Sequence, residues 1–276
     1  MENVNDKAGS EYWTSFWSQL EIPEPINVSK KTISNYSVRK FHENYQEIFK
    51  DYSTSGKKLI ELGCGNSVWL SYFHQQYGFD ITGLDYSEYG CEQTRKILKR
   101  DKISGTIIQG DIFSPPIELI EQFDIVCSFG VVEHFDDTKA AILAMKKFVK
   151  PGGMIILTVP NLKSITGFLQ KIMNKPVYDI HVAMDKNYLT DKITQSGFKV
   201  IKANYFIPIS FGVTLEKHEN QKVNYLGIKK VILKSFQVIE KIAWLIDDNV
   251  IKLPISTYFS SGIFTASILP VSEESK

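Results

Sequence analysis

The sequence predicts an α/β fold in which helices pack on a mostly parallel sheet. Between residues 58 and 160, short runs rich in Ile, Val and Leu alternate with longer segments whose apolar residues recur at helical spacing. This alternation is typical of strand–helix units that feed a parallel sheet. A chain of 276 residues with 43% hydrophobic side chains is long enough for one such domain with additional segments.

Each strand and helix of this region has its own local signal. Apolar runs predict strands at residues 58–62, 79–84, 106–109, 123–128 and 154–159. The spacing between them predicts helices at about 67–77, 87–99 and 136–149. Each helix begins with a capping residue: Asn66 or Ser67 for the first, Ser87 for the second, and Asp136 or Asp137 for the third. The Lys-Pro-Gly-Gly turn at 150–153 then leads into the fifth strand.

Further elements follow Pro160. A loop with a short helix is expected up to about residue 185, before a helix at 186–196, a strand near 198–205 and a last strand at 262–269. Apolar residues three or four apart, with lysines between them, predict an amphipathic helix at 227–247. Such a helix packs on its own domain, meets a second copy of the chain, or lies on a membrane surface.

The chain divides into two parts by its composition. Residues 1–54 are aromatic and polar and precede the first strand by too far to belong to it, so we expect a helical N-terminal cap. Residues 55–276 then form the α/β domain, with 206–260 as an insertion before the last strand.

Composition also indicates which partners and which cellular compartment to expect. The 32 basic and 31 acidic side chains leave a formal net charge of +1, which gives no electrostatic reason to expect nucleic acid. Cys64, Cys91 and Cys127 lack the spacing of metal ligands or of a disulfide framework, so we expect no metal. The N-terminus lacks the pattern of a secretion signal, and no apolar stretch of about 18 residues predicts a transmembrane helix. We therefore expect a cytoplasmic protein.

The strongest local motif follows the first strand. Glu61 ends an apolar run and is followed by Gly63-Cys64-Gly65, a Gly-x-Gly turn that opens a helix. Glycines allow the backbone to come close to a ligand and to adopt positive φ. The free amides at the start of the helix favour an anionic group, and the Glu61 carboxylate can complement an ammonium group.

Two more acidic residues follow neighbouring strands. Asp85 ends the second strand, where a carboxylate can accept hydrogen bonds from both hydroxyls of a ribose. Asp111-Ile112 follows the third strand and offers a carboxylate and an apolar side chain to an adenine ring. Because ligands of open α/β sheets bind at the carboxyl ends of the strands, these residues predict one shared site.

Five ordered motifs resemble those of the class I S-adenosylmethionine-dependent methyltransferases of the small-molecule type. They are Glu61-Leu-Gly-Cys-Gly65; Asp85; Asp111-Ile112; the strand from Phe123 to Ser128 with Val132-Glu133-His134-Phe135 after it; and the turn Val149-Lys150-Pro151-Gly152-Gly153. The resemblance covers roughly residues 55–205 and the strand at 262–269. It implies a Rossmann-like sheet of seven mostly parallel strands with an antiparallel last strand, and S-adenosyl-L-methionine as cofactor.

The resemblance also implies the cofactor contacts. They are Glu61, Gly63, Cys64, Gly65, Asp85, Tyr86, Asp111, Ile112, Ser128, Phe129 and Gly130. A hydroxyl acceptor must lose a proton, and His134 is the candidate base because an unperturbed histidine has a pKa of roughly 6.5. The alternative is that His134 and Glu133 only position the cofactor or cap a helix.

Acceptor contacts are expected from two further residues. His181 lies in the loop after the fifth strand, which often contacts the acceptor in the resembled family, although it fits an exposed loop histidine equally well. Tyr36 shares a helical face with Arg39 and His42, and a solvated face is the alternative. The aromatic residues near the N-terminus fit a lid over the site, the core of a cap helix, or both.

Several activities are compatible with the sequence. Methyl transfer to a small molecule, by O- or N-methylation of a sugar, phenol or secondary metabolite, follows from the resemblance. A lipid-linked or macromolecular acceptor, or S-adenosylmethionine binding without transfer, remains an alternative. A nicotinamide dehydrogenase is disfavoured, because its fingerprint requires a third glycine where this chain has Val68.

Overall fold

A computed structural model describes residues 4–211 and 228–271, and its centre is a seven-stranded sheet. The strand order is β3-β2-β1-β4-β5-β7-β6. The strands are β1 (Lys58–Leu62), β2 (Asp80–Asp85), β3 (Thr106–Gln109), β4 (Phe123–Phe129), β5 (Val149–Pro160), β6 (Lys199–Phe206) and β7 (Gly262–Ile268). Strand β7 pairs antiparallel with both β5 and β6, whereas β1 to β5 pair in parallel. The predicted Rossmann-like α/β class is confirmed.

The helices surround this sheet. They are α1 (Ser10–Ser18), α2 (Tyr36–Phe49), α3 (Trp69–Tyr77), α4 (Glu88–Asp101), α5 (Thr138–Lys146), α6 (Ile165–Met173), α7 (Lys175–Asp179), α8 (Lys186–Gln195) and α9 (Ile228–Asn249). Ser87 accepts a hydrogen bond from the Gly90 amide, and Asp137 accepts one from the Ala140 amide, so the expected caps of α4 and α5 are present. The cap expected for α3 is wrong, because that helix begins after Val68 without a side-chain cap. Two helices, α6 and α7, fill the segment where one short helix was expected.

Two element boundaries differ from the prediction by three residues or more. Strand β5 begins at Val149, earlier than expected, because Val149 pairs with Phe123 before a bulge that contains the Lys-Pro-Gly-Gly turn. Gly152 lies in this bulge at φ 79° and its amide donates to the Leu269 carbonyl. Helix α5 ends at Lys146, earlier than expected, since the buried Phe148 and Val149 leave the helix for the sheet.

The sheet has a hydrophobic core on each face. On one face, α5 and α8 cover residues such as Val126 and Ile155. On the other face, Tyr45 from α2 packs into the same buried cluster as Leu59 of β1 and Phe73 of α3. The N-terminal segment therefore shares the core of the α/β domain, and the boundary at residue 54 stays a prediction.

Helix α9 docks on α2 through its C-terminal part. The Trp244 ring stacks on Tyr36 with centroids 4.8 Å apart, and the Tyr36 hydroxyl donates to Asp247 at 2.8 Å. Arg39 forms an ion pair with Asp248. Much of the helix's apolar face stays exposed, including Val238 and Ile242. In the described ranges, no helix combines the length and apolar character needed to traverse a bilayer.

Candidate active site

A cavity of about 670 Å³ opens at the carboxyl ends of the central strands. It is lined by many of the residues that the sequence motifs single out, among them Glu61, Gly63, Gly65, Asp85, Tyr86, Asp111, Ile112, Phe129, Gly130, His134 and His181. The motifs that follow β1 to β4 lie far apart in the chain and meet in one place. This is expected, because ligands of open α/β sheets bind at the carboxyl ends of the strands.

The turn after β1 brings the backbone to the cavity. Gly63 has a φ of 80°, which favours glycine, and its amide donates to the Leu84 carbonyl at 2.8 Å. A Cβ at Gly65 would lie 2.5 Å from the indole nitrogen of Trp17 and 3.0 Å from a carboxylate oxygen of Asp85. Gly63 is therefore required by its backbone conformation, and Gly65 by close contacts. The indole of Trp17 already occupies the space beside Gly65.

Asp85 is fixed by the backbone around it. Its carboxylate accepts from the Gly65 amide at 2.8 Å and from the Ser87 amide at 2.8 Å. Burial raises the Asp85 pKa to about 6, although these two hydrogen bonds oppose the shift. The carboxylate is held in one orientation at the end of β2, which suits it to a ribose diol.

Glu61 lies deeper in the site. It is fully buried, and the Ser67 hydroxyl donates to its carboxylate at 2.8 Å. Burial raises the Glu61 pKa to about 8; the Ser67 hydrogen bond lowers it and the charge of Asp85 raises it further. A cationic group bound beside Glu61 would restore its charged form, because opposite charges stabilise each other most where water is excluded.

Asp111 and Ile112 form the opposite end of the cofactor path. One Asp111 oxygen accepts from the Phe113 amide at 2.9 Å, and Ile112 is buried in the core that borders the cavity. Tyr86 lies nearby, and its hydroxyl donates to Asp6 at 2.9 Å. This end presents a carboxylate and an apolar wall, which fits the predicted adenine contact.

The N-terminal segment covers the cavity. A β-bridge joins Asp6 to Phe135, and the Lys7 amide donates to the His134 carbonyl at 2.9 Å. Helix α1 follows and lines the cavity with Tyr12, Trp13, Phe16 and Trp17. The Trp13 ring meets the His134 ring edge-on at a centroid distance of 4.9 Å. These contacts support the lid, whereas Tyr36 and Tyr45 of α2 are core residues, so the N-terminal aromatics have both roles.

His134 and His181 lie side by side, with ring centroids 4.5 Å apart. Burial lowers the His134 pKa to about 3, and the neighbouring His181 lowers it further, while a hydrogen bond to the Ile180 carbonyl acts in the opposite sense. A histidine with so low a pKa is a weak proton acceptor near neutral pH. The base role of His134 stays a prediction that this environment does not favour.

Three predicted contacts need correction. Tyr36 is fully buried against Trp244 and its hydroxyl is used by Asp247, so it packs α9 and does not face the cavity. The Cys64 thiol is buried against Gly83 of β2. The Ser128 hydroxyl donates to the Leu62 carbonyl at 2.8 Å, between β4 and β1. Cys64 and Ser128 thus stabilise the sheet beneath the cavity and are not part of its lining.

The sequence interpretation missed two aromatic residues of the site. Trp69 begins α3 and lines the cavity together with Phe41 of α2. The Trp69 ring stacks on Phe129 with centroids 5.4 Å apart. The position of Trp69 directly after the glycine turn was a usable signal, whereas nothing local to Phe41 indicates that α2 reaches the cavity.

Comparison with known proteins finds methyltransferases. Residues 60–157 match the family model described as a methyltransferase domain. A ubiquinone biosynthesis O-methyltransferase of Stutzerimonas stutzeri is 33% identical over 109 residues, which are 40% of this chain and 47% of that protein. The protein of the same description from Psychrobacter arcticus is 27% identical over 82% of this chain and 91% of its own length. The chain therefore spans about half of the first relative and most of the second.

A solved structure shows the same fold. The phosphoethanolamine N-methyltransferase 2 of Haemonchus contortus in complex with S-adenosyl-L-methionine aligns with a TM-score of 0.56 at 13% identity, over 87% of this chain and 57% of that one. The fold and the strand-end motifs define an α/β domain suited to an adenosyl cofactor. Residues 60–157 match a methyltransferase domain, and the motifs and fold are similar to those of the class I S-adenosylmethionine-dependent methyltransferases, which indicates S-adenosyl-L-methionine as the cofactor.

Proposed function

We propose that this chain methylates a hydroxyl group of a small, largely apolar acceptor such as a phenol. The observation that carries the proposal is the continuity of the cavity, which extends from the acids of β2 and β3 to the two imidazoles under α1. A bound cofactor and its acceptor can therefore share one space from which α1 excludes water.

The residues of the chain fit the cofactor. S-adenosyl-L-methionine supplies an activated methyl group when bound. Asp85 would hold the ribose, Asp111 and Ile112 the adenine, and Glu61 the ammonium group, while the Gly63–Gly65 turn admits the ligand close to the backbone. These assignments are proposals, and the buried carboxylate of Glu61 and the preformed orientation of Asp85 support them.

Two observations support an aromatic hydroxyl as acceptor. Aromatic rings from Trp13, Phe16 and Phe129 line the cavity and offer stacking surfaces for a planar acceptor. The curated relatives are O-methyltransferases by name. An amine or a sugar has a weaker case, because the aromatic wall offers few polar partners for it.

A panel assay tests this proposal. Purified chain and cofactor are incubated with phenols, catechols, amines and sugars of similar size, and S-adenosylhomocysteine and the methylated product are measured by mass spectrometry. We expect turnover with phenols or catechols and none with the amines and sugars. Turnover with amines alone refutes the hydroxyl acceptor, and cofactor binding without transfer to any class favours the non-catalytic alternative.

We also propose a lipid-linked form of the acceptor, because apolar side chains of two helices lie exposed. They are Phe168 and Ile172 of α6, and Val238 and Ile242 of α9, with Ile251 following α9. The lysines at 234 and 241 accompany the exposed apolar side chains of α9, as in helices that lie on anionic membranes. A second copy of the chain is the competing occupant.

Liposome flotation distinguishes the two occupants. We expect the chain to float with vesicles that contain phosphatidylglycerol and the double variant Val238→Asp/Ile242→Asp to stay at the bottom. Lys139→Asp on α5 is the control, because it changes the net charge by two units, as the double variant does. Failure of the unaltered chain to float, together with a dimer in solution, refutes the membrane contact.

A further inference from the structure

We propose that Glu133, His134 and His181 form a binding site for one divalent transition-metal ion at the end of the cavity. Each residue offers one ligand atom, and these three atoms all lie within 4.8 Å of one another. All three residues line the cavity, so an ion bound there would keep open coordination positions toward it. The sequence-based expectation of no metal rested on cysteine spacing and did not consider this set.

The fold holds the three residues together from two distant parts of the chain. Glu133 and His134 lie in the short helical turn Val132–His134 after β4, whereas His181 follows α7. The Val182 amide donates to the Glu133 carbonyl at 2.6 Å, which ties the two segments side by side. The cluster is thus part of the backbone framework, and it does not depend on the chance position of long side chains.

The hydrogen bonds of the two imidazoles leave one nitrogen of each ring for a ligand. Nδ1 of His134 lies 3.0 Å from the Ile180 carbonyl oxygen, and Nδ1 of His181 lies 2.5 Å from the Val177 carbonyl oxygen. A carbonyl oxygen can only accept, so each Nδ1 carries the proton and each Nε2 keeps its lone pair. This is the arrangement in which backbone carbonyls orient metal-binding histidines.

The charges around the cluster are compatible with a bound cation. The carbonyl contacts at Nδ1 hold both rings as neutral imidazoles, which is the form that binds metals. The charge of Lys7 lies near His181 and would oppose a cation. The carboxylate of Glu133 supplies the compensating negative charge.

The donor set defines the class of ion and its use. Two imidazoles and one carboxylate with open positions suit Fe²⁺, Zn²⁺, Mn²⁺ or Co²⁺, whereas Mg²⁺ and Ca²⁺ prefer oxygen ligands. The use of the ion rests on the proposed function: the acceptor hydroxyl would bind it, and its O–H bond would break with the proton passing to water and the electron pair staying on oxygen. This supplies the deprotonation for which the buried His134 is poorly suited.

Cobalt titration tests the site without any reaction. The full chain is freed of metals with a chelator and titrated with Co²⁺, while the visible absorption of the ion and the heat of binding are recorded. We expect one ion per chain and a spectrum typical of nitrogen and oxygen ligands. His181→Ala, at a half-buried position, should weaken binding by roughly tenfold or more. His74→Ala is the matched control, because His74 lies on α3 with its Nδ1 at the Phe79 carbonyl, and it should bind Co²⁺ like the unaltered chain.

Two results would overturn the metal site: no saturable Co²⁺ or Zn²⁺ binding by the unaltered chain, or equal binding by His181→Ala and the unaltered chain. Glu133→Gln provides a second variant of nearly the same shape, and circular dichroism verifies that each variant is folded. Methyl transfer that persists in chelator, with no metal binding, refutes the metal site and leaves the proposed function intact. Saturable Co²⁺ binding by a chain that transfers no methyl group supports the metal site and counts against the proposed function.

Discussion

The carboxylate of Asp85 accepts a hydrogen bond from the backbone amide of Gly65 at 2.8 Å. This contact joins the end of β2 to the turn after β1, so the acid and the glycine turn that the sequence places 20 residues apart form one rigid corner. The second Asp85 oxygen is held by the Ser87 amide. The cofactor would therefore meet a carboxylate whose orientation is set before binding, which reduces the entropy lost on binding.

Replacing this carboxylate should weaken cofactor binding. We expect Asp85→Ala to cost about 1 to 3 kcal/mol of binding free energy through the loss of charge-assisted hydrogen bonds. Calorimetry with S-adenosylhomocysteine measures the change. Asp80→Ala is the control, since Asp80 lies at the other, exposed end of β2. Unchanged affinity in a folded Asp85→Ala variant would remove the ribose assignment.

The buried carboxyl of Glu61 should make folding stability depend on pH. Its folded pKa is raised to about 8, so the folded state binds the proton more tightly than the unfolded state. This contribution to stability is full below the unfolded pKa of about 4.3 and is lost as the pH rises toward 8. Urea unfolding of the unaltered chain and of Glu61→Gln at several pH values isolates the contribution of Glu61 to the free energy of unfolding. We expect the unaltered chain to lose about 1 kcal/mol or more relative to Glu61→Gln between pH 5 and 8, and a constant difference contradicts the assignment.

The indole of Trp17 should slow the entry of the cofactor. A Cβ at Gly65 would meet the Trp17 indole nitrogen and the Asp85 carboxylate at similar distances, so the indole lies where a ribose must approach. We expect Trp17→Ala to bind S-adenosylhomocysteine about tenfold faster, which corresponds to about 1.4 kcal/mol removed from the barrier to entry. Stopped-flow fluorescence measures the rate, with Trp244→Phe as the control outside the cavity. Slower association in Trp17→Ala would show that the indole forms part of the binding surface.

The hydroxyl of Tyr36 should stabilise the docking of α9. It is buried and donates to the Asp247 carboxylate, which Lys40 also approaches at 3.3 Å. We expect Tyr36→Phe to lower the free energy of unfolding by about 1.5 to 3 kcal/mol, because a buried carboxylate loses a donor. Urea unfolding measures this loss. Tyr52→Phe at a half-buried position is the control, and an equal effect in both variants would mean that the Asp247 contact contributes little.

The sequence predicts the strands well because each depends on a local apolar run. Strands β1 and β3 have the bounds that their runs predict, and the residues at their carboxyl ends converge as parallel topology dictates. Residues whose role depends on distant contacts are harder to predict. The pattern around Tyr36 shows a helical face but not that Trp244 and Asp247 cover it, and nothing near His181 in sequence indicates that it will meet His134.

The same limit applies to Cys64 and Ser128. Their motif places them beside the cofactor path, but the direction of each side chain depends on its neighbours in the sheet, and both side chains turn into the protein. The lid is a further case, because the aromatic spacing of α1 fits a core helix as well as a cover. Only the contacts with Gly65 and His134 distinguish the two.

Calorimetric titration of the purified chain with S-adenosyl-L-methionine and with S-adenosylhomocysteine tests the central claim most directly. The account predicts saturable binding of one molecule per chain for both compounds, weakened in Asp85→Ala. Absence of binding to either compound by the folded chain would contradict the assignment of the corner formed by Gly65 and Asp85 as the cofactor site.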